Sequence, residues 1–228
     1  MILSANQPYF APFPGFFYKA WMSDLFVVMD DVQFPQGTTW ISRNRFKSHQ
    51  GALWITVPVW KKGLGLQKIN EVRICHEGRW AKKHMESLKT AYKKAPYLPE
   101  HLEFLEEIFS EKNEMLSELN LAVIRYLMGS LAIKTKLVLL SELNVPSTGN
   151  RRLVDLCIKL GASQFLAQGP AKKFLDEKSF QDEGIEITYV NPPIPIYPQL
   201  WGNFIAHLSA VDLVLNCGPK AREILLSP

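Results

Sequence analysis

The sequence predicts an α/β fold, with a mixed or mostly parallel sheet flanked by helices and a helical segment in the middle of the chain. Three observations predict it. Short apolar runs of strand length recur near both ends, separated by stretches with helical spacing. The first two runs are each followed at once by polar residues, proline and glycine, as at the strand ends of open α/β sheets. Residues 79–130 carry three successive helical patterns with no strand between them.

Residues 2–5 read as a short strand, residues 15–22 as a short helix behind a proline-rich loop, and residues 25–29 as a second, buried strand. Residues 40–46 and 53–59 are β-like by their aromatic and branched content, with Gly37 and Gly51 supplying turns. Lys61-Lys62-Gly63-Leu64-Gly65 reads as a mobile loop whose lysines are solvated charge. Trp80, His84, Leu88 and Ala91 share one face of a helix ending near Ala95-Pro96. Leu102, Leu105 and Ile108 form the inner face of the next helix, and Leu116, Leu119, Val123 and Leu127 that of a third over about residues 113–128.

The α/β rhythm then returns. A strand over 137–140 ends at Ser141-Glu142, and a Pro146-Ser147-Thr148-Gly149 turn opens a helix holding Leu153, Leu156 and Leu160. Gly161 suits the left-handed stop of that helix. A strand over 164–167, the loop Gln168-Gly169-Pro170, a short helix near 172–175 and a strand over 185–190 follow. Ser209 caps the last helix, which ends at Gly218-Pro219. The whole chain, 1–228, reads as a single domain with a helical layer at about 79–130.

Composition narrows the function. With 228 residues and 47% hydrophobic residues the chain can bury a sizeable core. Its three cysteines are widely spaced, with no CxxC and no Cys/His pairing at metal spacing, so a reducing compartment and no structural zinc are expected. No secretory signal pattern and no apolar stretch of membrane-spanning length occur, so a cytoplasmic location is expected. A net charge of +4 suits a small anionic ligand and argues poorly for nucleic acid. Aromatic and basic residues interleave between Trp40 and Trp60 without an RNP-like motif, so nucleic-acid binding is not expected. No Ser/His/Asp triad can be assembled from spacing and no GxSxG elbow occurs, which disfavours a hydrolase.

Candidate site residues concentrate in the first 47 positions. Gln7 follows the first strand and can read a carbonyl or hydroxyl; Lys19, about one turn into the first helix, can reach an anion at its N-terminus. Asp30 and Asp31 follow the second strand, where one holds magnesium or accepts an amine proton, or else caps a turn. Arg43 and Arg45 share one strand face, with Lys47 on the same side if the strand persists, and can hold phosphate or carboxylate or pair with surface acids. Gln33 and Asn44 join them as candidate substrate or anion contacts. His84 is the best placed of five histidines for catalysis, although a lone histidine on an apolar helical face is more often packed. Ser141 and Arg151 mark a second candidate anion site between a strand end and a helix start, where an arginine opposes the macrodipole unless an acid or anion is near.

Ordered motifs extend beyond these positions. They are Gln7-Pro8-Tyr9-Phe10-Ala11-Pro12 with Gly15, Ser23-Asp24, Asp30-Asp31-Val32-Gln33, Arg43-Asn44-Arg45, and Tyr92-Lys93-Lys94-Ala95-Pro96-Tyr97. Gln168-Gly169, Tyr197-Pro198-Gln199, Leu208-Ser209 with Asp212, and Asn216-Cys217-Gly218 complete the set. Through them the chain resembles the WbqC-like family of bacterial proteins over nearly its whole length. That resemblance implies a setting in the synthesis of O-antigen and other surface polysaccharides, with a glycine transferase role proposed for some members. The family often has His before Gln-Pro and Tyr further on, where this chain has Asn6 and Phe10. Asn6 can donate a hydrogen bond but cannot exchange a proton near neutral pH.

The order of strand, polar loop, glycine-opened helix and acid-ended strand is also distantly similar to nucleotidyltransferase-type α/β folds. Their His-x-Gly-His loop is absent here, so this likeness is one of architecture only. The expected function is therefore a transferase that moves an aminoacyl group, glycyl among them, or another small acyl group to an amino sugar. An ATP-derived adenylate with magnesium and a preformed donor are both open routes. The expected partner is a small anionic or nucleotide-linked sugar. The alternative is a non-catalytic binding or scaffold protein of a glycan pathway.

Overall fold

A computed structural model of the chain describes residues 1–110 and 113–227. Five strands, β1 (Ile2–Asn6), β2 (Leu25–Val28), β5 (Lys136–Leu139), β6 (Gln164–Gln168) and β7 (Glu186–Val190), form one sheet. Its order is β5-β2-β1-β6-β7 and every pairing is parallel. β2 is buried at all four positions, as expected of a strand covered on both faces. Two further strands, β3 (Arg43–Ser48) and β4 (Gly51–Thr56), make a separate antiparallel hairpin.

Helices cover both faces of the sheet. Phe26 and Val28 of β2 join one core with α1 (Pro14–Trp21), α2 (Trp80–Tyr92), α3 (Leu98–Ile108), α4 (Leu116–Ser130), α7 (Ala210–Cys217), α8 (Ala221–Leu226) and the hairpin. Leu25 and Val27 alternate to the other face, where α5 (Gly149–Leu160) and α6 (Glu177–Gln181) close a second core with Val154, Leu156 and Phe180. Residues 79–130 thus supply the helical layer that the amphipathic spacing predicts.

The first segment leaving the sheet runs through the interior, and buried amides hold it. Asn120, fully buried on α4, donates to Pro8 O and Ile41 O at 2.8 Å each. Asn44, fully buried on β3, donates to Phe10 O at 3.0 Å and Ala11 O at 2.8 Å, and its Oδ1 accepts from Arg45 N at 2.8 Å. Ala11 lies in the left-handed region with φ +42°, a turn that these bonds hold in place.

Several boundaries differ from the sequence reading. Residues 40–42 form a turn and the strand begins at Arg43, because Trp40 O and Ile41 O are engaged by Phe10 N and Asn120. The second hairpin strand stops at Thr56, before Pro58. The inner face of α2 is Ala81, Met85, Leu88, Ala91 and Tyr92, which leaves Trp80 and His84 half-buried at its edge. The segment near 172–175 is a 3-10 turn over Gly169–Lys173. Gly161 stops α5 at φ +70°, and Ser209 Oγ caps α7 by accepting from Val211 N at 3.2 Å.

Gly218, where α7 ends, is required by its backbone and by its neighbour. Its φ is +49°, and a Cβ there would stand 2.4 Å from the Tyr97 ring, well inside contact distance. Gly218→Ala is expected to lower stability by about 3 kcal/mol through strain plus overpacking, read as a shifted midpoint in urea unfolding. An unchanged midpoint would contradict this packing.

Candidate functional site

The strand order reverses between β1 and β6, since the chain builds outward from β1 to β2 and β5 and then returns to the other side. Open α/β sheets leave a crevice beyond the carboxyl ends of strands at such a point. Here Asn6 and Gln7 leave β1 beside Gln168 and Gly169 leaving β6. Two adjoining cavities open there, sharing Gln168 and Pro170. One, of about 290 Å³, is lined by Asn6, Gln7, Tyr9, Lys19 and Leu153 among others. The other, of about 440 Å³, is mainly apolar and is bordered by Phe13, Gly15, Trp40, Arg45, Asn191, Phe204 and His207. A side chain at position 169 would collide with Asn191 Oδ1 at 2.2 Å, so glycine is what lets Asn191 approach the end of β6.

Lys19 is the chemically distinctive group of this crevice. α1 delivers it to the floor of the smaller cavity, where it is 3% exposed. Its Nζ donates to Ala5 O and to Asn6 Oδ1, both at 2.9 Å, and lies 5.6 Å from the Phe26 ring centre. No carboxylate pairs with it among the described residues, and burial brings its pKa down to about 7. As a neutral amine it satisfies Ala5 and Asn6 with two N–H groups and retains a lone pair, which is the form a general base requires. Asn6 therefore has a role its proton chemistry could not supply: it orients the lysine. Tyr9, beside it, has its phenol pKa raised by burial.

The remaining candidates fall in different places. Gln7 shares the smaller cavity with Lys19, and Arg45 lines the larger one. Arg45 Nη2 donates to Ala206 O at 3.3 Å and His207 O at 3.2 Å, while its Nε has no hydrogen-bond partner among the described residues. Arg43 stacks its guanidinium 3.6 Å from the Trp54 ring centre and borders neither cavity. Lys47 does share the strand face but is buried, donating to Gln199 Oε1 at 3.0 Å and Asn203 O at 2.7 Å. Asn44 is fully buried and spent on the Phe10–Ala11 turn.

Asp30 is buried at the end of β2, where its carboxylate accepts from Ser141 N at 3.0 Å and Ser141 Oγ at 2.6 Å. Those two candidates thus cap one another across β2 and β5. Asp31 forms a 2.6 Å ion pair with Lys68, which raises the lysine pKa, and Gln33 is exposed and bridges to Lys68 through the backbone. His84 contacts the end of β4, with Nε2 3.0 Å from Thr56 O; burial lowers its pKa, partly opposed by that bond. Arg151 pairs with Asp155 at 2.7 Å and Glu183 at 3.0 Å, acids that offset its unfavourable place at a helix start.

Sequence reasoning passed over a buried network behind the larger cavity. Asp212, three residues beyond the Ser209 cap, is fully buried and accepts from Tyr92 OH at 2.7 Å and Tyr197 OH at 2.8 Å. Burial raises its pKa, and both phenols together with Lys47 pull it back. Tyr92 OH also accepts from Lys47 N at 2.9 Å, which ties the hairpin to α2 and α7. Tyr197 borders the larger cavity, so the network holds part of its wall. The two tyrosines are separated by 105 positions in sequence and only the fold reveals their shared partner. Gln168 was readable as the polar residue closing a strand.

Lys19 makes the stability of this region pH-dependent in a defined direction. Its folded pKa, about 7, lies below its ordinary 10.5, so between these values the unfolded chain binds the extra proton and stability rises with pH. Below pH 7 the full cost of charging the buried amine is present. Lys19→Met is expected to reduce the rise in chemical-denaturation stability between pH 7 and 10, compared with the wild type. Parallel stability profiles for the two proteins would show that the amine is not desolvated.

Comparison with known proteins adds kinship. The model of the WbqC-like protein family matches residues 7–224. An uncharacterized protein of Mycobacterium tuberculosis, Rv1507c, is 33% identical over 222 residues, covering 96% of this chain and 95% of that protein. No solved structure matches. The match takes in both sides of the crevice, from Gln7 to the last helix, and the chain belongs to the WbqC-like protein family.

Proposed function

We propose that this chain is a transferase of bacterial surface-polysaccharide synthesis, moving an aminoacyl or other small acyl group onto the amine of a nucleotide-linked amino sugar. The observation that supports this reading most is Lys19, a buried amine with pKa near 7 at the sheet's switch point. In the proposed reaction the neutral Lys19 Nζ takes a proton from the acceptor amine as that nitrogen attacks the acyl carbon. The leaving group departs with the electron pair of its bond to the acyl carbon, and the new bond is an amide. Gln7 and Gln168 orient the acceptor by hydrogen bonds, and Arg45 with the apolar walls of the larger cavity receives the donor.

A preformed acyl donor fits this site better than an ATP-derived adenylate. Asp30 and Asp31, the expected magnesium ligands, border neither cavity and bond to Ser141 and Lys68 instead.

The test is a mass-spectrometric screen for acylated product, combining nucleotide-linked amino sugars with acyl thioesters and aminoacyl donors, with and without ATP and magnesium. Turnover is expected without ATP, and Lys19→Met is expected to lower it by at least about 100-fold while the protein stays folded. The wild-type rate should climb as pH rises through about 7, where Lys19 loses its proton. Full turnover in Lys19→Met would remove the lysine from catalysis. A screen without product would count against the transferase reading and favour a binding role for the crevice.

A further inference from the structure

The loop after the hairpin has no place in the proposed chemistry, and it leaves three large apolar side chains exposed within seven residues. Residues 60–66 form an unbroken exposed run, in which Trp60 is 42%, Leu64 52% and Leu66 64% exposed. The loop is held in shape. Gln67 Nε2 donates to Trp60 O at 3.0 Å, closing its two ends; Trp60 N donates to Arg73 O at 3.0 Å, and Phe34 N to Gln67 O at 2.9 Å. Lys61 Nζ reaches Gln36 O and Gly37 O at 3.3 Å each and lies 4.7 Å from the Phe34 ring centre. Gly63 and Gly65 take φ +79° and +65°, directing the turn that presents the leucines outward. A tied loop with its apolar residues outside is built to meet something.

Charge says what that is. From Val32 to Asn70 the sequence has six Lys and Arg residues and no Asp or Glu, while the whole chain is only +4. Within the loop Lys61 and Lys62 stand beside the exposed apolar residues, with no acid between Val32 and Asn70 to offset them. Exposed Trp40 (39%) and Trp54 (41%) lie in the same segment. Tryptophan and leucine at a projecting tip with lysines beside them are the groups that partition into the headgroup region of a bilayer. Nucleic acid would use the cations but has no use for two projecting leucines.

We propose that the 60–66 loop docks the protein on an anionic phospholipid surface, with Trp60, Leu64 and Leu66 entering the interface and Lys62 among the headgroups. Lys61 braces it against Gln36 and Gly37, and Lys68 contributes little because Asp31 pairs with it. The chain thereby binds the membrane from one side as a peripheral protein, and the crevice chemistry does not depend on it.

The experiment is co-sedimentation of the full chain with sucrose-loaded vesicles, either pure phosphatidylcholine or equal parts phosphatidylcholine and phosphatidylglycerol. Wild type is expected to sediment with the mixed vesicles only, and less so as salt rises. The Leu64→Asp, Leu66→Asp double variant should partition at least about tenfold more weakly with an unchanged melting temperature, because neither side chain packs inside. Lys62→Glu should weaken binding and flatten its salt dependence. The proposal is overturned if wild type ignores the mixed vesicles, or if the double variant binds them equally well. It is equally overturned if the loop leucines prove to hold two copies together in gel filtration while the vesicles bind nothing.

Discussion

The rest of the structure depends on how the segment leaving β1 satisfies its backbone in the protein interior. A buried main chain must find partners for its N–H and C=O groups, and residues 8–12 have no strand beside them to supply these. Asn120 takes Pro8 O, Asn44 takes Phe10 O and Ala11 O, Phe10 N donates to Trp40 O, and Ala210 N donates to Pro12 O. The bonds come from α4, β3, the turn before β3 and α7, so one short stretch pins α4, the hairpin and α7 to the edge of the sheet. The crevice at the β1 and β6 ends keeps its shape because these elements cannot shift independently. An amide lost here would leave buried carbonyls without donors, at a cost of about 1–3 kcal/mol each.

Buried ionisable groups divide by what surrounds them. Lys47 and Asp212 are inside a closed set of donors and acceptors contributed by Tyr92, Tyr197, Gln199 and Asn203, where each charge has polar company and a structural task. Lys19 is as deeply buried but has only a carbonyl and an amide oxygen, and no counter-charge among the described residues holds its proton. Desolvation without an opposing charge is what brings the Lys19 pKa down, whereas Asp212 opposes that loss at Lys47. The same contrast distinguishes the acids, because Asp30 and Asp31 have each found a full-time partner.

The hairpin carries Arg43 and Arg45, while the crevice is formed largely by the ends of β1 and β6. Sharing Arg45 and Trp40, the larger cavity is the point where the two features adjoin. The stacked pair Trp40 and Trp54, with ring centres 5.7 Å apart and Arg43 against Trp54, gives that region a rigid aromatic surface.

Local pattern alone determined much of this protein. The strands, the three central helices, the Gly161 stop and the Ser209 cap are short-range consequences of hydrophobic period and backbone preference, so they are legible without a fold. The closeness of Gln7 and Lys19 at the first strand's end was legible too, since both line one cleft. Partnership was decided by tertiary structure. Whether Arg43, Asn44, Asp30 or Arg151 is free for a ligand depends on Trp54, Phe10, Ser141 and Glu183, residues distant in sequence. Likewise the low pKa of Lys19 arises because folding removes its water and, among the described residues, brings no carboxylate to it, and a side chain's solvation is a property of its surroundings rather than of its neighbours in the chain.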